Sequence, residues 1–154
     1  LPVAVSRAMS RGRSLSSIGV ACHEAGHALQ HARGYAPLGV RTALVPVVNI
    51  GSNASYWFII LGFLMRSQPL LLLGAVLFAS AVVFSIITLP VEWNASARAK
   101  KAMVSAGIVT PQERKGAGAV LNAAFLTYVA AAVSSALILV YYLLRAGVLG
   151  GGDD

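Results

Sequence analysis

Pro69-Leu70-Leu71-Leu72-Leu73-Gly74-Ala75-Val76-Leu77-Phe78-Ala79-Ser80-Ala81-Val82-Val83-Phe84-Ser85-Ile86-Ile87-Thr88-Leu89 runs for 21 residues without a charged side chain. At 1.5 Å per residue, a helix of that length spans about 30 Å, the thickness of bilayer hydrocarbon. The stretch reads as a membrane helix, and the composition agrees. Of 154 residues, 57% are hydrophobic and only 11% charged, with mean hydropathy +0.75; soluble domains carry about 25% charged residues. Residues 43–65 predict a first transmembrane helix, strongly apolar from Tyr56 to Met65 but polar and small over 49–55. Those polar groups are expected to face protein or a cavity rather than lipid. Residues 120–144 predict a third span, rich in small residues such as Ala130, Ala131, Ala132, Ser134 and Ser135, which let helices approach closely. The expected fold is all-α: one multi-pass membrane helical domain with about three transmembrane helices, at 43–65, 69–89 and 120–144.

Between the spans, Arg66-Ser67-Gln68 is a polar turn, and Pro90 is expected to end the second span. A separate basic helix is expected to follow and to stop near Gly107. Thr110-Pro111-Gln112-Glu113 combines a capping-box pair with proline at the first helical position, a strong helix start. The glycine-rich tail at 150–154 is expected to be flexible.

The net charge is +7, with pI about 10.2. In a soluble protein this would point to nucleic acid, but here the charges sort by membrane side. Arg7, Arg11, Arg13, Arg33 and Arg41 precede the first span, and Arg98, Lys100, Lys101, Arg114 and Lys115 lie between the second and third. Only Arg66 and Arg145 fall on the other side. By the positive-inside rule the crowded side is the cytoplasm. The implied partner is the lipid bilayer, with no nucleic acid. The one cysteine, Cys22, excludes an intrachain disulfide and reads as a small buried apolar residue.

Upstream of the spans, Cys22-His23-Glu24-Ala25-Gly26-His27 has the form H-E-x-x-H, inside a stretch (14–34) with Ser14, Ser16 and Ser17 as N-cap candidates and Gly34 as a stop. Residues four apart share a helix face, so His23 and His27 can aim two imidazole nitrogens at one metal ion, in practice Zn²⁺. Glu24 flanks such an ion and can take a proton from the water that attacks a peptide carbonyl. A catalytic zinc keeps three protein ligands. His31 stands eight residues past His23, about 12 Å along an unbroken helix, too far to share the ion. Gln30 and Arg33 occupy the positions where the extended metzincin pattern would need glycine and histidine. Two membrane crossings return the chain to the motif's side, where Glu92 and Glu113 are the glutamates on offer. Glu113 is explained by its capping box, which leaves Glu92 as the third ligand.

His23-Glu24-Ala25-Gly26-His27-Ala28-Leu29-Gln30-His31, then Gly34-Tyr35-Ala36-Pro37, then Leu89-Pro90-Val91-Glu92-Trp93-Asn94-Ala95-Ser96, and finally Leu121-Asn122-Ala123-Ala124 with Leu126-Thr127-Tyr128-Val129-Ala130, together resemble the YugP-like neutral zinc metallopeptidases of bacterial membranes. The resemblance covers nearly the whole chain after about residue 12 and implies a multi-pass membrane peptidase with one zinc. Members also carry an upstream spanning helix and a short soluble segment, so the sequence is expected to be a piece of a longer protein. Glu92-Trp93-Asn94-Ala95-Ser96 is also similar to the E-x-x-A-D element of the CAAX prenyl and heat-shock membrane peptidases, whose glutamate is a zinc ligand; Ser96 replaces the aspartate. The expected function is a zinc endopeptidase at the cytoplasmic membrane face acting on polypeptides, some of them membrane-associated. Asn94, Asn122, Tyr128 and His31 are candidates to stabilise the oxyanion. The alternative is a non-catalytic scaffold or chaperone-like protein with a structural zinc, for which Glu24 would have no use.

Overall fold

The computed structural model describes residues 15–149. They form four helices, with no strand among the described residues: α1 (Leu15–Ala32), α2 (Ala36–Leu64), α3 (Gln68–Ser105) and α4 (Pro111–Arg145). Helices α2, α3 and α4 are each long and apolar enough to cross a membrane. The basic opening, Ser14 and the 150–154 tail lie outside the described residues.

The helix ends follow local chemistry. α1 stops where Gly34 adopts φ 60°, and the Gly34 and Tyr35 amides bond back to the carbonyls of His31 and Gln30. Left-handed backbone of this kind costs glycine nothing. Gly107 does the same after α3, at φ 63°. The turn before α3 has no glycine, so Arg66 takes φ 50° itself while Ser67 N–H bonds the Gly62 carbonyl. α4 opens on the expected capping box: Thr110 N–H donates to Glu113 Oε2 at 2.9 Å, and Glu113 N–H donates to Thr110 Oγ1 at 3.3 Å.

Two expectations need correcting. The first transmembrane helix was expected from residue 43, but α2 begins at Ala36, seven residues earlier, with Pro37 in its first turn, where a missing N–H costs nothing. Pro90 does not end a helix either, because α3 runs through it for 38 residues. Proline removes one helical hydrogen bond there, but Val91, Ala95, Ala99 and Met103, four apart, are all completely buried. Packing along that row outweighs the local preference of proline, as tertiary context commonly does.

The residues fall into two units. Among the described residues, the first holds 15–39 and 88–129. Its core is Cys22, Ala99, Met103, Val109, Ala117 and Leu121, with Ile18 packed against it. Cys22 is buried as expected, and burial pushes its thiol pKa up. Gly26 lets α1 lie directly on the backbone of α3, since a Cβ there would collide with the Ala95 carbonyl.

The second unit holds 40–87 and 130–149 of the described residues. In it α2 presents Gly51, Ser55, Ile59 and Gly62 as its buried side. Ser55 Oγ donates to the Gly74 carbonyl at 2.8 Å, and Cβ atoms at Gly62 or Gly74 would press into Leu71 or Ile59. Small residues at close-packed helix pairs are how membrane helices associate. The polar groups of α2 were expected to face protein or a cavity. Ser55 faces protein, and Asn49 and Asn53 are exposed on the described chain.

Candidate functional site

The first unit brings three sequence-predicted residues together. His23 and His27 stand one turn apart on α1, and Glu92 stands on α3 one turn before Ser96. His23 Nε2 lies 3.0 Å and His27 Nε2 3.4 Å from Glu92 Oε2. The two Nε2 atoms are 3.1 Å from each other, and the rings meet edge to face at 4.7 Å. Glu92 is 1% exposed, whereas both histidines are partly open. The close approach at Gly26 makes this convergence possible, because it sits between the two histidines on the face of α1 that touches α3.

These distances are a test of fit for zinc. Four ligands at about 2.0–2.2 Å in a tetrahedron lie about 3.3–3.6 Å apart along its edges. The observed 3.0, 3.1 and 3.4 Å lie within that range or just below it, so an ion needs only a small outward shift of the three groups. Two imidazole nitrogens and a carboxylate oxygen are also the borderline donor set that zinc accepts. The three residues are the group among the described residues that could hold a metal ion. Beside them Glu24 is exposed on α1, so it can meet water and substrate. The Glu92 carboxylate bonded to His27 is the largest cause of that imidazole's raised pKa.

Each histidine also uses its other nitrogen. His23 Nδ1 is 3.2 Å from Ser96 Oγ, so the serine in the E-x-x-A-D-like element still makes the contact open to an aspartate there. His27 Nδ1 is 2.9 Å from Gln30 Oε1. Gln30 is fully buried, and its Nε2 donates to the Val91 carbonyl at 2.8 Å and to Asn94 Oδ1 at 3.1 Å. Arg98 Nε donates to the same Asn94 oxygen at 2.7 Å, with its guanidinium 5.9 Å from the Tyr35 ring centre. Sequence reasoning saw Gln30 only as a mismatch to the metzincin pattern. Its place three residues past His27 on one helix face was the available signal.

The other expected residues stand apart from the donor group. His31 is exposed and does not belong to it. The amide oxygen of Asn94 is engaged by Gln30 and Arg98, and that of Asn122 accepts from Lys100 Nζ at 2.6 Å. Glu113 is held by Thr110.

The chain is 46% identical over 152 residues to a protein of Bacillus subtilis (strain 168) named "Putative membrane protease YugP", an alignment covering 99% of this chain and 67% of that protein. No solved structure matches the chain at a significant level. Residues 2–147 match the family described as "Putative neutral zinc metallopeptidase", and with nearly the whole length accounted for, the chain belongs to that family.

Proposed function

We propose that this chain is a membrane-bound zinc endopeptidase that hydrolyses peptide bonds at the cytoplasmic face of the cell membrane. The observation that carries it is the convergence of His23, His27 and Glu92 at tetrahedral spacing, with Glu24 exposed beside them. In this reading His23 Nε2, His27 Nε2 and a Glu92 oxygen would hold Zn²⁺. A bound zinc supplies Lewis acidity to the scissile carbonyl and to the attacking water. Glu24 takes the proton from that water as general base and delivers it to the departing amine as general acid. Ser96 and Gln30 hold the two imidazoles by their Nδ1 atoms, and the buried position of Glu92 keeps its carboxylate from swinging into water.

A structural zinc has four protein ligands. The group here has three, and its neighbour Glu24 is idle unless it acts on a proton, which favours catalysis over a scaffold role. The cytoplasmic orientation rests on ten of the twelve cationic residues falling on the motif's side of the spans. The substrate is a polypeptide reaching the membrane surface. The test is full-length protein reconstituted with zinc in lipid vesicles and offered membrane and soluble polypeptides, with Glu24→Gln as the control. Cleavage by the native chain and none by a zinc-loaded Glu24→Gln protein is the expected result; equal turnover by both overturns the reading.

A further inference from the structure

The hydrogen bonds around Gln30 determine which nitrogen of His27 carries the proton. A neutral imidazole has one N–H and one lone pair, and only the lone-pair nitrogen can bind a metal. Amide orientations are usually ambiguous, because nitrogen and oxygen look alike. Here two one-way partners remove the ambiguity. The Val91 carbonyl can only accept, so the Gln30 atom 2.8 Å from it is the amide nitrogen. Arg98 Nε can only donate, so the Asn94 atom 2.7 Å from it is oxygen, and the Gln30 atom meeting that oxygen must again be nitrogen. Both constraints turn Gln30 Oε1 toward His27. That oxygen can only accept, so His27 Nδ1 must donate, and in the neutral ring its Nε2 keeps the lone pair. The proton offered to Glu92 then comes from His23 Nε2, at 3.0 Å, rather than from His27 Nε2, at 3.4 Å. His23 Nε2 also lies 3.1 Å from His27 Nε2 and its lone pair. Ser96 cannot impose the same choice on His23, since a hydroxyl both donates and accepts.

We propose that Gln30 is a positioning residue that locks His27 in the Nδ1–H tautomer, and that Val91, Asn94 and Arg98 serve to hold the Gln30 amide in the orientation that does so. The proposal rests on the reading of His27 as a metal ligand for its purpose, but its tautomer claim stands on the hydrogen bonds alone. Free imidazole favours the opposite, Nε2–H form, so without the lock His27 must change tautomer before a metal can bind. Complete burial of Gln30 makes the lock effective, because no water competes for the bond.

The experiment uses the full chain in detergent micelles or nanodiscs, with ¹⁵N-labelled histidine, at a pH where imidazole is neutral. In the metal-free protein the ¹⁵N shifts of His27 are expected to report an Nδ1–H tautomer. Gln30→Met keeps the volume but removes the acceptor; it should shift His27 toward the Nε2–H form and weaken zinc binding by about 10–100-fold, the usual effect of losing a partner of a metal-bound histidine. Gln30→Glu retains an acceptor oxygen and should keep the Nδ1–H tautomer. Circular dichroism confirms that each variant remains helical. If Gln30→Met leaves tautomer and affinity unchanged while the native protein binds zinc, the positioning role is wrong and the metal reading stands. If the tautomer moves as expected but no variant, native included, binds zinc, the lock is real and the metal reading fails. A native His27 already in the Nε2–H form overturns the proposal directly.

Discussion

Gly26→Ala tests the site at its narrowest point. A methyl group at this position would overlap the Ala95 carbonyl oxygen and lie 3.0 and 3.3 Å from the Ala95 carbonyl carbon and Cα. Carbon atoms rest about 3.5–4.0 Å apart, and backbone inside a helix cannot rotate away, so α1 and α3 must separate by roughly 1 Å. The histidines ride on α1 and Glu92 on α3. Their distances, now 3.0 and 3.4 Å, would stretch toward about 4 Å, past the tetrahedral edge of about 3.3–3.6 Å. Overpacking of this sort costs about 1–3 kcal/mol of stability. Zinc affinity should fall by more than about 100-fold, beyond the usual effect of a lost indirect partner. Zinc content and chelator competition on the full chain in detergent give the number, with circular dichroism to exclude unfolding. Gly118→Ala on α4 is the control, because a Cβ there meets nothing within 4 Å; it should add up to about 1 kcal/mol of helix stability and leave zinc affinity unchanged. A helical Gly26→Ala protein with native zinc affinity would refute the close-approach account.

Glu92→Ala and Glu92→Gln should both lose zinc severely, while His31→Ala, at an exposed position away from the donor group, should lose little; zinc analysis of the three side by side checks the ligand assignment. Ser96→Asp should tighten zinc binding, because a carboxylate accepts from His23 Nδ1 more strongly than a hydroxyl, and unchanged or weaker affinity would mean that the contact does no orienting. Zinc should be released as pH falls, since protons compete for His27. The raised pKa of that imidazole moves upward the pH at which apparent affinity begins to fall, and it is high pH, not low, that favours the metal-bound state. Cysteine labelling at positions 67, 99 and 151 in a Cys22→Ala background should place 99 in the cytoplasm and the other two outside; periplasmic labelling of 99 would contradict the orientation.

The spans were legible because apolarity over twenty residues has few alternative explanations. The gathering of His23 and His27 was legible from helical spacing, and that of Glu92 from counting crossings. Pro90 was misread because its penalty is local, whereas the burial that overrides it joins residues far apart in the sequence, Ala95 to Gly26 and Ala99 and Met103 to the cluster that holds Cys22 and Leu121. Gln30 was passed over for a related reason. Its bond to His27 is a short-range helical contact, but its partners Val91 and Asn94 are 61 and 64 residues away, and only they show that the amide faces one way.

The unbroken run of α3 from Glu92 through Ala95 to Met103 has a consequence for how the gene can vary. An α-helix advances about 100° per residue, so one residue inserted or deleted between Glu92 and Ala95 would swing the carboxylate off the face that lies on α1 at Gly26. Loops absorb such changes; a continuous helix transmits them. The spacing from Glu92 to Ala95 therefore acts as a phase setting. Among sequences that share H-E-x-x-H, those with a shifted interval here would have lost the ability to deliver this carboxylate, whatever else they retain.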